Sequence, residues 1–116
     1  MYTLYNILYN NDLDTLNSNL TTPTKSRLLV SSENEISGFT YTAEKNGYVN
    51  YSFGLNVANS YALLQIKKDD MVVNASQLSG FTSIYVQILS LPILKGQKAI
   101  ITYSNAINNM LYFCEK

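Results

Sequence analysis

The sequence predicts an all-β fold: an antiparallel β-sandwich preceded by a short N-terminal arm or helix. Two observations carry that prediction. From residue 48 to residue 57 the chain alternates with a period of two. Val49, Tyr51, Phe53, Leu55 and Val57 fall on one side, and Tyr48, Asn50, Ser52, Gly54 and Asn56 on the other. About eight short runs of this kind follow one another, with turn residues between them, which is the pattern of a sandwich or barrel.

The first 24 residues differ from the rest. Tyr2, Leu4, Tyr5, Ile7, Leu8 and Tyr9 crowd into the start, and Leu13, Leu16 and Leu20 then recur at helical spacing behind a capping Asn10-Asn11-Asp12. Two readings stand: a terminal helix on the domain's own core, or an arm that anchors the protein to a larger body. Pro23 sits inside neither a helix nor a central strand, so it marks the boundary between an arm, residues 1–24, and a domain, residues 25–116.

The strands follow in order. Residues 25–33 place Leu28 and Val30 on one face and Leu29 on the other; 34–38 form a turn; 39–42 form a short strand. Asn46-Gly47 is expected to supply the left-handed positions of a tight turn into the long strand 47–57. Strand 61–67 buries Ala62, Leu64 and Ile66, and the charged turn Lys68-Asp69-Asp70 leads into a strand at 71–75, a hairpin. A loop is expected at 76–80. The next strand, 81–91, sets Ile84, Val86 and Ile88 on the core and is disrupted by Pro92. Strand 99–104, a loop over 105–109 and a last strand over 110–114 complete the chain.

Several strands carry apolar side chains opposite their core sets: Tyr61, Leu63, Tyr85, Leu89, Leu91, Ile100 and Tyr112. An exposed antiparallel face normally reads polar, so these strays predict a surface that another subunit covers. Tyr61, Leu63, Tyr85, Leu89, Ile100 and Tyr112 are the candidate interface residues. The charged fraction of 14%, against about 25% in ordinary domains, points the same way.

Catalytic chemistry finds little support. The chain has no histidine, so a nucleophilic serine lacks its usual base, and the lone Cys114 has no partner for a disulfide or a zinc cluster. Cys114 reads as a small apolar strand residue. The carboxylates fall mainly in turns, and Asp69-Asp70 reads as a solvated hairpin tip before it reads as a weak calcium site. No glycine-rich phosphate loop follows a strand. The expectation is a non-enzyme without cofactor or metal. Eight basic residues balance eight acidic ones with no basic run, which disfavours nucleic acid, and no apolar stretch reaches the roughly 20 residues of a membrane-spanning helix. Ten tyrosines, each with a flat apolar face and a hydroxyl, suit protein interfaces and sugar stacking alike.

Four short features carry a resemblance. Ala43, Gly47, Tyr48 and Val49 match the "T-A-P-x-x-G-Y-V" turn of small trimeric jelly-roll domains in bacteriophage fibres, which are similar to the complement C1q and tumour-necrosis-factor sandwich. The strand and charged hairpin Ile66-Lys67-Lys68-Asp69-Asp70-Met71-Val72-Val73 follows in order, and Leu91-Pro92-Ile93-Leu94-Lys95-Gly96-Gln97-Lys98 resembles the turn before that family's penultimate strand. A terminal strand, Leu111-Tyr112-Phe113, completes the likeness. Glu44 stands where the family often has proline, and Cys114-Glu115 replaces a common isoleucine-proline ending. The resemblance spans residues 27–116. It implies a homotrimeric virion protein, assembled in the host cytoplasm, with a knob that attaches to host-surface glycans. The short preceding segment suits a head fibre or capsid decoration, with Tyr2, Leu4, Tyr5, Leu8 and Tyr9 holding other virion proteins. A tail-fibre tip and a cellular carbohydrate-binding module are the alternatives.

Overall fold

The computed structural model describes residues 27–55, 57–80 and 86–116. The expected arm and its anchoring residues lie outside these residues. Eight strands are present: β1 (Arg27–Leu29), β2 (Thr40–Thr42), β3 (Gly47–Leu55), β4 (Tyr61–Lys68), β5 (Met71–Ser79), β6 (Val86–Ile93), β7 (Lys98–Ser104) and β8 (Ala106–Glu115). They pair antiparallel into two four-stranded sheets. Sheet 1 runs β1-β8-β3-β6 and sheet 2 runs β2-β7-β4-β5. Apart from the β4–β5 hairpin, each described strand is followed by one in the opposite sheet, the order of an eight-stranded jelly roll.

The core lies between the sheets and follows the alternation. Val49, Tyr51, Phe53 and Leu55 of β3 meet Ala62, Leu64 and Ile66 of β4, with Ile101 of β7 and Leu111 of β8 closing the layer. Each fully buried Leu, Ile or Phe here contributes about 1.5–3 kcal/mol of transfer free energy. The Tyr51 and Phe53 rings pack 4.7 Å apart and tilted. Tyr51 brings a hydroxyl into this apolar layer and donates it to Asn109 Oδ1 at 2.6 Å. Asn109, fully buried, donates Nδ2 to Ala106 O and Asn34 Oδ1, so each of its amide groups has a partner. Burial, with the nearby Tyr103, drives the Tyr51 phenol well above its ordinary pKa and keeps it protonated.

Several expectations are corrected. Gly47 does not adopt a left-handed conformation. Its need is steric: a Cβ there would meet the backbone oxygen of Cys114 at 2.1 Å and the Phe113 ring at 2.8 Å. β1 ends at Leu29, short of the expected end at residue 33. β3 ends at Leu55, so Val57 is exposed rather than part of the core.

β5 runs on to Ser79 through the expected loop, because its polar residues suit an outer strand hydrogen-bonded to β4 on one side only. β8 likewise begins at Ala106, with Asn108 in the left-handed region and a register shift beside β3 absorbing the expected loop.

The largest correction concerns β6. Val86 and Ile88 are 68% and 52% exposed, whereas Leu91 and Ile93 are buried. The strand faces the core with the opposite parity. Both parities of this segment are apolar, so alternation does not choose between them. Pairing chooses, setting Val86 opposite Gly54 and Ile88 opposite Ser52 on the outer side of β3. Pro92 lies within β6 and does not disrupt it, because β6 is an edge strand with one side free of ladder bonds.

Candidate interaction face

The outer surface of sheet 1 is built by the polar side of β3 and its neighbours. Register stacks it in rows: Arg27, Cys114, Tyr48 and Pro92; then Leu29, Tyr112, Asn50 and Ser90; then Met110, Ser52 and Ile88; then Ile107, Gly54 and Val86. Sequence-distant residues thus become neighbours about 5 Å apart. Tyr48, Val86, Ile88, Leu29 and Ile107 are exposed apolar side chains, and Met110 and Tyr112 are half-buried among them. Exposed apolar side chains thus come from all four strands of this sheet.

Its centre holds a small polar group. Asn50 Oδ1 accepts from Ser90 Oγ at 2.5 Å, and Asn50 Nδ2 lies 3.8 Å from Cys114 Sγ. Burial pushes the Cys114 thiol above its ordinary pKa, with Arg27 opposing. The Arg27 guanidinium stacks 4.1 Å from the centre of the Tyr112 ring, which places a cation at one edge of the patch. Lys45 and Glu115 pair at 3.4 Å near that edge, and both are exposed enough that water screens them.

The structure divides the six candidate interface residues. Tyr112 lies on this face. Tyr61, Leu63 and Ile100 lie on the outer face of sheet 2, the opposite side of the sandwich, among Ser79, Gln77, Thr102 and Thr40. Leu89 is on the inner side and packs against the core. Tyr85 lies outside the described residues. The residues that complete the sheet 1 face were not singled out: Tyr48, Met110 and Ile107, with Val86 and Ile88 assigned to the core. Tyr48 and Asn50 already stood opposite the core set of β3, and that was the available signal.

Among the described residues no three His, Cys, Asp or Glu side chains gather as a metal site. Glu35 holds its carboxylate on the backbone N–H groups of Ile36 and Ser32, which lowers its pKa. Asp69 and Asp70 flank an open depression with Lys68, Met71 and Val73 at the hairpin tip. Comparison with protein-family models and with curated proteins finds no match to this chain.

Proposed function

We propose that this chain is a structural virion protein of a bacteriophage, a trimeric β-sandwich knob that projects from the particle on head or tail and attaches to host-surface glycans. The observation that carries the reading is the apolar outer face of sheet 1, spread over β1, β8, β3 and β6. Three copies packing these faces about a common axis remove Tyr48, Val86, Ile88 and Ile107 from water. The motif resemblance supplies the number three and the phage context, and the jelly-roll strand order agrees with it. Residues 1–24 anchor the knob, through Tyr2, Leu4, Tyr5, Leu8 and Tyr9. Three-fold repetition turns weak sugar contacts into useful avidity.

Light scattering on the purified chain across a dilution series tests the reading. A mass three times that of the 13.0 kDa chain is expected, and a monomer at every concentration rejects it. Removing residues 1–24 is expected to abolish attachment to particles and leave the knob folded. A monomer that retains sugar binding points instead to a cellular carbohydrate-binding module.

A further inference from the structure

We infer that the end of the sandwich formed by the β3–β4 and β7–β8 turns carries a binding site for neutral carbohydrate, centred on Tyr61. The inference rests on the glycan-attachment reading above and gives it a location and a ligand class. Its starting point is a segregation of charge.

Every described lysine and arginine lies toward one end. Arg27 pairs with Cys114, Lys67 with Lys98, and Lys68 with Met71 at the hairpin. Lys95 N–H donates to Asn46 Oδ1, Lys116 N–H donates to Asn46 O, and Lys45 precedes that residue. At the opposite end β3 closes against β8 at Leu55–Ala106, β4 starts at Tyr61 beside Ser104, and Asn105 turns between β7 and β8. No described residue of those turns is charged. Glu33 and Glu35, in the β1–β2 connection, are the only described acids outside the charged end, and Glu35 is held by backbone N–H groups.

Tyr61 sits at this end, which carries no described lysine or arginine, half-buried, on the outer face of sheet 2. Ser79 lies directly across on β5 and Ser104 across on β7. The next row on that face is Leu63 between Gln77 and Thr102. Asn105 Nδ2 donates to Asn59 O at 3.2 Å and ties the two adjoining turns together. Tyr61 is therefore paired across the sheet with a serine on each side, with a glutamine in the next row and an asparagine in the turn. A sugar ring presents C–H groups to an aromatic face and hydroxyls at its edge, and these partners match both. With no cation at hand, an acidic sugar gains nothing here.

The other described tyrosines are committed or differently placed. Tyr51 is buried, Tyr41 packs on Phe113, and Tyr103 donates its hydroxyl to Glu35 O. Tyr112 is covered by Arg27, and Tyr48 lies at the charged end. Sheet 2 is also the layer left free when the outer face of sheet 1 is occupied.

The test is retention of the full chain on an array of neutral hexose and N-acetylhexosamine oligosaccharides, with sialylated and uronic oligosaccharides beside them. The wild-type chain is expected to be retained on neutral sugars. Tyr61→Ala is expected to weaken that retention about ten-fold or more, and Tyr61→Phe to keep most of it. Ser104→Asp places a charge at an exposed position beside the ring and is expected to weaken binding similarly, whether or not Tyr61→Ala folds. Lys95→Ser is expected to change nothing. No retention on neutral sugars, or retention that survives both Tyr61→Ala and Ser104→Asp, overturns the inference. Light scattering on the same samples separates the two readings. A trimer without neutral-sugar binding rejects this site and leaves the knob, whereas a monomer with Tyr61-dependent binding rejects the knob and keeps the site.

Discussion

The two outer faces of the sandwich are made from strands of similar apolar content, yet they differ in kind. On sheet 2, Tyr61, Leu63 and Ile100 are each set among Ser, Thr and Gln neighbours, and all three are half-buried by their own sheet. On sheet 1, Val86 and Ile88 follow one another on the outer side of β6, Ile107 shares the Val86 row across Gly54, Tyr48 stands two rows beyond Ile88, and all four stay exposed. The difference teaches that apolar count on a strand's outer side is a poor guide to an interface. What differs is whether such residues stay exposed in adjoining rows, as Ile88, Val86 and Ile107 do, or are set singly among polar neighbours.

The strongest way to break this comparison is to charge one face at a time. If the proposed trimer buries Ile88, Ile88→Asp is expected to dissociate it, because a buried carboxylate without a partner is costly. Ile100→Asp, on sheet 2, is expected to leave the mass unchanged. Light scattering reads both, and equal effects would end the distinction between the faces.

A second variant probes what positions sheet 1. Gly47→Ala drives a Cβ into the Cys114 carbonyl, a backbone atom that yields only with the strand pairing, and is expected to destabilise by about 3 kcal/mol. Denaturant titration of Gly47→Ala against Gly54→Ala sharpens the point. At Gly54 the nearest atom is a side-chain carbon of Ile107 at 3.2 Å, so the cost is expected to be smaller.

Tyr51→Phe tests the core between the two sheets. It leaves Asn109 Oδ1 buried without its donor and is expected to cost about 1–3 kcal/mol, read by the same titration. A neutral result would mean that the Asn109 carbonyl finds water.

The smallest expected effect is at Cys114. Its thiol pKa is raised by burial, so at pH 8 alkylation of the native protein is expected to run slower than in denaturant, and slower again in the trimer proposed above. The sign follows from linkage. A raised thiol pKa contributes stability below the ordinary value of 9.0, and that contribution fades as pH climbs through the folded value. Equal alkylation rates in assembled and dissociated protein would place Cys114 outside the covered face.

Much of the fold was legible because β3 and β4 alternate cleanly. Val49, Tyr51, Phe53 and Leu55, and then Ala62, Leu64 and Ile66, are the buried residues that their spacing predicts. β6 was not legible in the same way. Its apolar residues occupy both parities, and its facing was decided by register against β3. For the same reason alternation alone places Val86 and Ile88 inside and Leu89 outside, the reverse of the structure, and does not separate Tyr61 from Tyr112, which belong to opposite faces. Asn109, in an expected loop, proved to be a fully buried partner of Tyr51, a contact between residues 58 positions apart that no local pattern announces.

By itself the sequence determined the class of the fold and the inner layer of its best-patterned strands, because side chains alternate along a strand whatever that strand pairs with. It also determined a thinly charged surface and the lack of histidine chemistry, which are properties of composition. Only the tertiary structure decided which strands adjoin and hence which outer residues share a row. The same pairing set the steric need for glycine at Gly47 and gathered the described basic residues toward one end of the sandwich. These are consequences of long-range pairing, where one residue of register moves a side chain from one face to the other.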